Sequence, residues 1–252
     1  MSSKDKPAGV RPESPVALVT GASGGLGKAL AAELDRLGCR VAVHYNSSEE
    51  AARKLQGELR NDSVLVTGDV GSYEAVTAFM ERITGELGPV DVLVNNGAVR
   101  KDAAMAMQSP QDWAQVIQTN LVGPFHTARA AVPAMLRNRW GRVVNIVSPS
   151  ALVATAGQTA YASSKAGLIG LTRTLAAECG RRGVTVNALS PGFMPTTMTE
   201  GLSERVVSDI RDKAPVPRFV EPEEVAETMG LLLSQDCMTG QVISVDSGVS
   251  IM

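Results

Sequence analysis

Tyr161 and Lys165 stand four residues apart in the run Tyr-Ala-Ser-Ser-Lys, at the head of a long apolar stretch. If that stretch is helical, both side chains lie on one face, about one turn apart. A free phenol titrates near pH ~10 and is a poor proton donor or acceptor at neutral pH. A nearby ammonium favours the phenolate and draws that value toward the working range. Upstream, residues 141–148 (Gly-Arg-Val-Val-Asn-Ile-Val-Ser) read as a buried strand ending in a hydroxyl, and Tyr161 follows Ser148 by thirteen positions. Pro149 holds the residue before it extended, as a strand end requires. Ser150 is a second hydroxyl in the same loop, read as an ordinary loop residue.

A second group of residues is suited to phosphate. Thr20-Gly-Ala-Ser-Gly-Gly-Leu-Gly27 separates an apolar run from a helical pattern. Glycines let the backbone approach a pyrophosphate closely, and the helix start offers free N–H groups at the positive end of a dipole. The spacing of Gly21, Gly25 and Gly27 is G-x-x-x-G-x-G.

These groups need a scaffold that brings distant segments together. Apolar runs at residues 16–19, 40–45, 64–66, 90–94, 143–147, 184–188 and 242–245 predict seven strands. Helical patterns lie between them: leucines 26, 30, 34 and 37 with Gly38 as a stop, then residues 73–86, 111–120, 123–137, a helix begun near 161, 204–213 and 221–233. Ser47-Ser-Glu-Glu50 reads as a capping box opening one more helix. Alternating strands and helices predict an α/β fold: a doubly wound parallel sheet with helices on both faces, in one domain over 15–252. Residues 1–14, polar and proline-containing, read as a disordered tail without the apolar core of a signal peptide.

Composition narrows the function. A net charge of −2 and 20% charged residues give no basic field for nucleic acid. No run is long and apolar enough to span a bilayer. Cys39, Cys179 and Cys237 are odd in number and widely spaced, as in a reducing, cytoplasmic setting. Only His44 and His126 are present, so no metal site is expected.

In this order, the motifs resemble those of the short-chain dehydrogenase/reductase family, over about residues 15–252. The glycine turn matches its Thr-Gly-x-x-x-Gly-x-Gly subtype; Asp69-Val70 is similar to its adenine-contacting acid; Asn95-Asn96-Gly97-Ala98 resembles its Asn-Asn-Ala-Gly strand end with glycine and alanine exchanged. Asn120, Ser148, Tyr161 and Lys165 match its catalytic tetrad, and Pro191-Gly192 with Thr196 the segment over the nicotinamide. The resemblance implies a Rossmann-type fold and an NAD(P)-dependent oxidoreductase. It implies a serine that polarises a carbonyl, a tyrosine that protonates it, a lysine that holds the nicotinamide ribose, and an asparagine that anchors a water. Implied cofactor contacts are Gly21, Ser23, Gly25, Leu26, Gly27, Tyr45, Asn46, Ser47, Asp69, Val70, Asn96, Gly97, Tyr161, Lys165, Pro191, Gly192 and Thr196.

The end of the second strand bears on the cofactor. NAD sites place Asp or Glu about 20 residues past the glycines to bind the ribose. Here Tyr45-Asn46-Ser47-Ser48 stands instead, and amide and hydroxyl groups accommodate a 2′-phosphate that a carboxylate repels. NADPH/NADP is expected, with use of both cofactors the alternative, since Gly24 stands where NADP-using relatives often carry Arg or Lys.

Within the family the chain most resembles β-ketoacyl-acyl-carrier-protein reductases, through residues 186–189, 191–199, 215–219 and 238–241. That implies a ketoacyl thioester substrate, an acidic carrier docked at basic residues, and a homotetramer. Arg139 and Arg182 fall where such reductases dock the carrier; as helix-end arginines they also suit the dipole. Met194 and Met198 read as acyl-pocket lining or flexible core filler. A CoA-linked or free ketone is the alternative substrate. A non-catalytic dinucleotide-binding subunit is a further alternative, suggested by the departures at Gly24, Asn96-Gly97 and Asp246-Ser247-Gly248.

Overall fold

Four consecutive apolar residues, Val16–Val19 (β1), are completely shielded from solvent, as a strand covered on both faces must be. The computed structural model describes residues 9–194 and 214–251. It sets β1 among Arg40–Tyr45 (β2), Ser63–Thr67 (β3), Val92–Asn95 (β4), Gly141–Ile146 (β5), Val184–Pro191 (β6) and Val242–Val245 (β7). The strands form one sheet in the order β3-β2-β1-β4-β5-β6-β7, and each adjacent pair is parallel. The order switches direction between β1 and β4, which opens a crevice at the carboxyl ends of the strands.

The connecting helices are Gly25–Arg36 (α1), Glu49–Glu58 (α2), Tyr73–Glu86 (α3), Pro110–Ile117 (α4), Gly123–Asn138 (α5), Thr159–Cys179 (α6) and Pro222–Ser234 (α7). Leu30, Leu34, Leu55, Val225 and Met229 bury α1, α2 and α7 against one face of the sheet. Phe79, Ile83, Val132, Met135 and Ala176 bury α3, α5 and α6 against the other. Each such side chain contributes roughly 1.5–3 kcal/mol by leaving water. A smaller cluster of Val147, Leu168, Ile169 and Ala188 seats the front of α6 on β5 and β6.

Helix starts follow local chemistry, with one correction. Ser72 and Ser109 cap α3 and α4 by accepting from Ala75 N–H and Asp112 N–H. The capping box expected at 47–50 does not form. Ser48 is the N-cap with ψ 68, short of the extended ψ of 121 and 144 at Ser72 and Ser109, and its side chain makes no cap bond. Glu49 pairs with Arg53 at 2.6 Å instead, and the reciprocal box is found at Glu221 and Glu224.

The helices expected at 111–120 and 123–137 are joined through a π turn, Gln118–Val122. Such turns re-aim side chains and recur at functional positions; Asn120 lies within this one. Residues 9–14, expected to belong to a disordered tail, are tied to the domain. Gly9 N–H donates to the Arg139 carbonyl at 2.8 Å, Arg11 to the Leu37 carbonyl at 2.9 Å and Arg40 to the Ser14 carbonyl at 3.3 Å. Backbone partners secure this stretch where apolar burial does not. The expected helix at 204–213 lies outside the described residues, as do Thr196 and Met198. Among the described residues no helix is long and apolar enough to cross a membrane, and no group of three His, Cys, Asp or Glu is placed to hold a metal.

Candidate active site

A cleft of about 410 Å³ opens at the carboxyl ends of β1 to β5, and its floor is the glycine turn between β1 and α1. Gly21 has φ +62, and a Cβ on Gly27 would stand 2.2 Å from the Gly21 carbonyl oxygen, so only hydrogen fits there. Two polar groups pin this turn from opposite sides. Asn96 Nδ2 donates to the carbonyls of Thr20 and Gly21 at 2.9 and 3.1 Å. His44 Nδ1 accepts from Gly21 N–H at 3.2 Å while its Nε2 donates to the Gly68 carbonyl at 2.9 Å. Burial lowers the His44 pKa, which suits the neutral ring that this bonding requires. Gly24 caps α1 without a side chain, leaving the first N–H groups of the helix without a side-chain acceptor. A close backbone cradle and a bare helix start fit the pyrophosphate of a dinucleotide.

Ser23, Gly25, Leu26, Asn46, Ser47, Asp69, Val70, Asn96, Gly97 and Pro191 line this cleft as expected. Tyr45 does not. Neighbouring residues of a strand face opposite ways; His44 takes the cleft side, and Tyr45 packs against the apolar cluster under α1 and α2. Gly192 belongs instead to a smaller adjoining cavity. The glycine–alanine exchange after Asn96 is sterically harmless, since a Cβ at Gly97 would meet Thr20 Oγ1 at 3.4 Å, an ordinary contact.

At the other end of the cleft, β5 delivers Ser148 and α6 delivers Tyr161 and Lys165. A buried polar chain sets their spacing. Thr127 donates to Asn95 Oδ1 at 2.6 Å, Asn95 to Asn145 Oδ1 at 2.8 Å, and Asn145 to Thr172 Oγ1 at 2.9 Å, binding α5, β4, β5 and α6 together. Lys165 is 2% exposed and donates to the Ile146 carbonyl at 2.7 Å. Burial pulls its pKa from 10.5 down to about 8. Its Nζ lies 5.6 Å from the centre of the Tyr161 ring.

The expected lowering of the phenol by Lys165 is not what the structure displays. Burial pushes the Tyr161 pKa up; its hydrogen bond with Ser148 and the charge of Arg100 act downward, and Asp102 upward. The ammonium is spent on a backbone carbonyl, and desolvation dominates at the phenol. Asn120 is fully buried. Its Oδ1 accepts from Val99 N–H at 2.8 Å, and its Nδ2 donates to the Val99 carbonyl at 2.9 Å and to Ser164 Oγ at 3.3 Å. It thereby braces the loop after β4 against α6.

Ser148 and Tyr161 meet in the smaller cavity, of about 140 Å³, and Tyr161 also lines the large cleft. Ser150 is turned to Gln158, donating to its Oε1 at 2.7 Å, so Ser148 is the hydroxyl beside the phenol. Met194 lines both spaces. Arg139 and Arg182 do come close, since Arg139 Nη2 donates to the Arg181 carbonyl at 3.4 Å. They precede β5 and β6, however, and so lie at the sheet edge opposite the cleft.

Sequence reasoning missed His44, Gln115 and Thr119, which line the cleft, and Arg100, which lines the cavity. His44 had a signal, a polar residue closing an otherwise apolar strand. Gln115 and Thr119 are a polar i, i+4 pair on the helix leading to Asn120. Arg100 had none, because the loop after β4 has no pattern of its own.

A family model described as enoyl-(acyl carrier protein) reductase matches residues 21–250. The chain is 38% identical over 238 residues to a 3-oxoacyl-(acyl-carrier-protein) reductase of Staphylococcus aureus, covering 92% of this chain and 97% of that protein. It is 39% identical over 238 residues to an acetoacetyl-CoA reductase of Rhizobium meliloti, covering 93% and 98%. It is 37% identical over 240 residues to nodulation protein G of Azospirillum brasilense, also covering 93% and 98%. With a glycine cradle for a nicotinamide dinucleotide at one end of the cleft and a serine, tyrosine and lysine at the other, the chain belongs to the short-chain dehydrogenase/reductase family of NAD(P)-dependent oxidoreductases.

Proposed function

We propose that the protein reduces a β-ketoacyl thioester, carried by acyl carrier protein, to the β-hydroxyacyl thioester with NADPH. The observation that carries this reading is the position of Tyr161, which lines both the dinucleotide cleft and the cavity containing Ser148. When bound, NADPH supplies hydride to the carbonyl carbon. The Ser148 hydroxyl donates to the carbonyl oxygen and polarises it. The Tyr161 phenol, protonated at neutral pH as a free phenol is and with its pKa raised further by burial, gives its proton to the oxygen as negative charge develops there. Lys165, anchored on the Ile146 carbonyl with its Nζ 5.6 Å from the centre of the Tyr161 ring, is the cation among the described cleft-lining residues for the nicotinamide ribose. Asn120 keeps the Val99 loop and α6 in register.

Asn46 and Ser47, with no carboxylate among the cleft-lining residues of that strand end, favour the 2′-phosphate of NADPH. The carrier reading rests on the relatives' names rather than on Arg139 and Arg182. The acetoacetyl-CoA reductase among those relatives favours a CoA-linked substrate as the second reading. A groove between α5 and α6, lined by Phe125, Val132, Leu171 and Leu175, is consistent with a homotetramer, which sedimentation tests. The deciding experiment follows NADPH loss with acetoacetyl-carrier-protein and acetoacetyl-CoA. Consumption of the first at higher kcat/KM is expected; failure to consume either would overturn the reading.

A further inference from the structure

Among the described residues, Arg100 is the one charged side chain in the wall of the cavity shared by Ser148 and Tyr161. A string of polar contacts connects it to the serine. Arg100 Nε pairs with Asp102 Oδ2 at 3.0 Å. The same oxygen accepts from Gln158 Nε2 at 3.0 Å. Gln158 Oε1 accepts from Ser150 Oγ at 2.7 Å, and Ser150 N–H donates to Ser148 Oγ at 3.2 Å. Gln158 thus bridges Ser150 and Asp102 with the two ends of its amide, and Asp102 in turn orients the guanidinium through one edge.

A guanidinium has five N–H donors in a flat fork. Here the ion pair with Asp102 runs through Nε, and among the described residues no hydrogen bond from the two terminal nitrogens is found. The residue is exposed, its side chain 34% accessible, so water reaches the guanidinium and partly screens its charge. Its charge is also felt at the Tyr161 phenol, which places both groups on one small cavity. The same cavity is lined by Val147, Pro149, Val153 and Phe193, apolar groups suited to a short carbon chain.

We propose that Arg100 is a specificity-determining residue: its terminal nitrogens hold an oxygen acceptor beside the carbonyl being reduced, the C1 oxygen of a 3-ketoacyl group. It holds that group more firmly when C1 is an ionised carboxylate than when it is a thioester, because a guanidinium fork and a carboxylate make two charge-assisted hydrogen bonds. The enzyme therefore discriminates 3-keto acids and their thioesters from simple ketones. This rests on ketone reduction at Ser148 and Tyr161.

The test compares kcat/KM for acetoacetate, acetoacetyl-CoA and 2-butanone in the wild type, Arg100→Leu and Arg100→Lys, with NADPH affinity as the check on folding. In Arg100→Leu the acetoacetate to 2-butanone ratio should fall about 10- to 100-fold, the loss of a charge-assisted contact. The acetoacetyl-CoA to 2-butanone ratio should fall less, and Arg100→Lys should restore part of the acetoacetate preference. Ratios unchanged in Arg100→Leu would overturn the proposal. A second arm needs no turnover: equilibrium binding of 3-hydroxybutyrate and of 2-butanol. Weaker 3-hydroxybutyrate binding in Arg100→Leu, with 2-butanol binding changed less, supports the anchor; equal weakening of both, or of neither, overturns it. If no ketone is reduced by the wild type, the reading of the reaction falls, and this binding arm still decides on Arg100.

Discussion

The two ends of the cleft are built differently. At the β1–β2–β3 end, fit is made by backbone: Gly27 lies so close to the Gly21 carbonyl that no side chain can enter, and Asn96 and His44 only hold that backbone still. At the β5–β6 end, fit is made by ionisable side chains taken out of water: Lys165 buried on the Ile146 carbonyl, and Tyr161 with its proton held by burial. The first end should fail sterically, all at once and at every pH. The second should fail through charge, in a pH-dependent way, with the framework intact.

The largest expected effect is at the side-chain end. Tyr161→Phe removes the phenol proposed as proton donor and should lower kcat by about 10²–10⁴, while NADPH affinity, measured by fluorescence titration, stays within a few-fold. Loss of both together would erase the distinction between the ends. Next comes Gly27→Ala, whose Cβ would stand 2.2 Å from the Gly21 oxygen. NADPH binding should weaken by two orders of magnitude or so, equally from pH 6 to 9, as expected of a backbone displaced by about an ångström.

Lys165 sharpens the contrast through stability. Its pKa in the folded chain is about 8, below the ordinary 10.5, so between those values the unfolded chain binds the proton that the folded chain has lost. The Lys165 contribution to stability therefore rises with pH over that window, by an amount on the order of 3 kcal/mol. Because burial raises the Cys39 thiol from 9.0 to about 11 and so acts the opposite way, the readout is the stability of the wild type relative to Lys165→Met by urea unfolding, which should rise across the range; identical slopes would mean the ammonium is not desolvated. A smaller effect is expected at Gly24, where a Cβ meets the Gly21 oxygen at an ordinary 3.6 Å. Gly24→Arg should raise the NADPH to NADH preference by about tenfold, the contribution of one charge-assisted phosphate contact. The smallest is Gly97→Ala, with 3.4 Å to Thr20 Oγ1: NADPH binding within about twofold would confirm that close approach, rather than glycine as such, governs the backbone end.

Much of this was legible in the chain, because the signals are local. Seven apolar runs separated by helical patterns imply a parallel sheet, since strands covered on both faces carry no alternation. The glycine turn and the Ser148, Tyr161 and Lys165 spacing are also short-range. The errors arise where a side chain's direction depends on something distant. Tyr45 is expected at the cofactor from sequence but, half-buried, packs against the apolar cluster under α1 and α2, because the register of β2 turns His44 to the cleft. Ser47 to Glu50 has the letters of a capping box, yet α2 starts one residue later, with Ser48 as N-cap and Ala51 at N3, so no Glu stands where the box requires it. Arg139 and Arg182 were expected at the pocket mouth, and the parallel sheet carries them to the opposite edge.

By itself, then, the order of residues determined the family and the layered α/β architecture, and it marked out four candidate side chains, since each depends on spacing within a strand, a turn or a helix. Only the tertiary structure decided the charge state those side chains meet. Whether Lys165 faces the phenol or a carbonyl, whether burial outweighs a neighbouring cation, and that Arg100 shares a cavity with Ser148, all depend on distances between segments that are far apart along the chain. Desolvation and Coulomb energy are functions of that three-dimensional neighbourhood, and no local pattern encodes them.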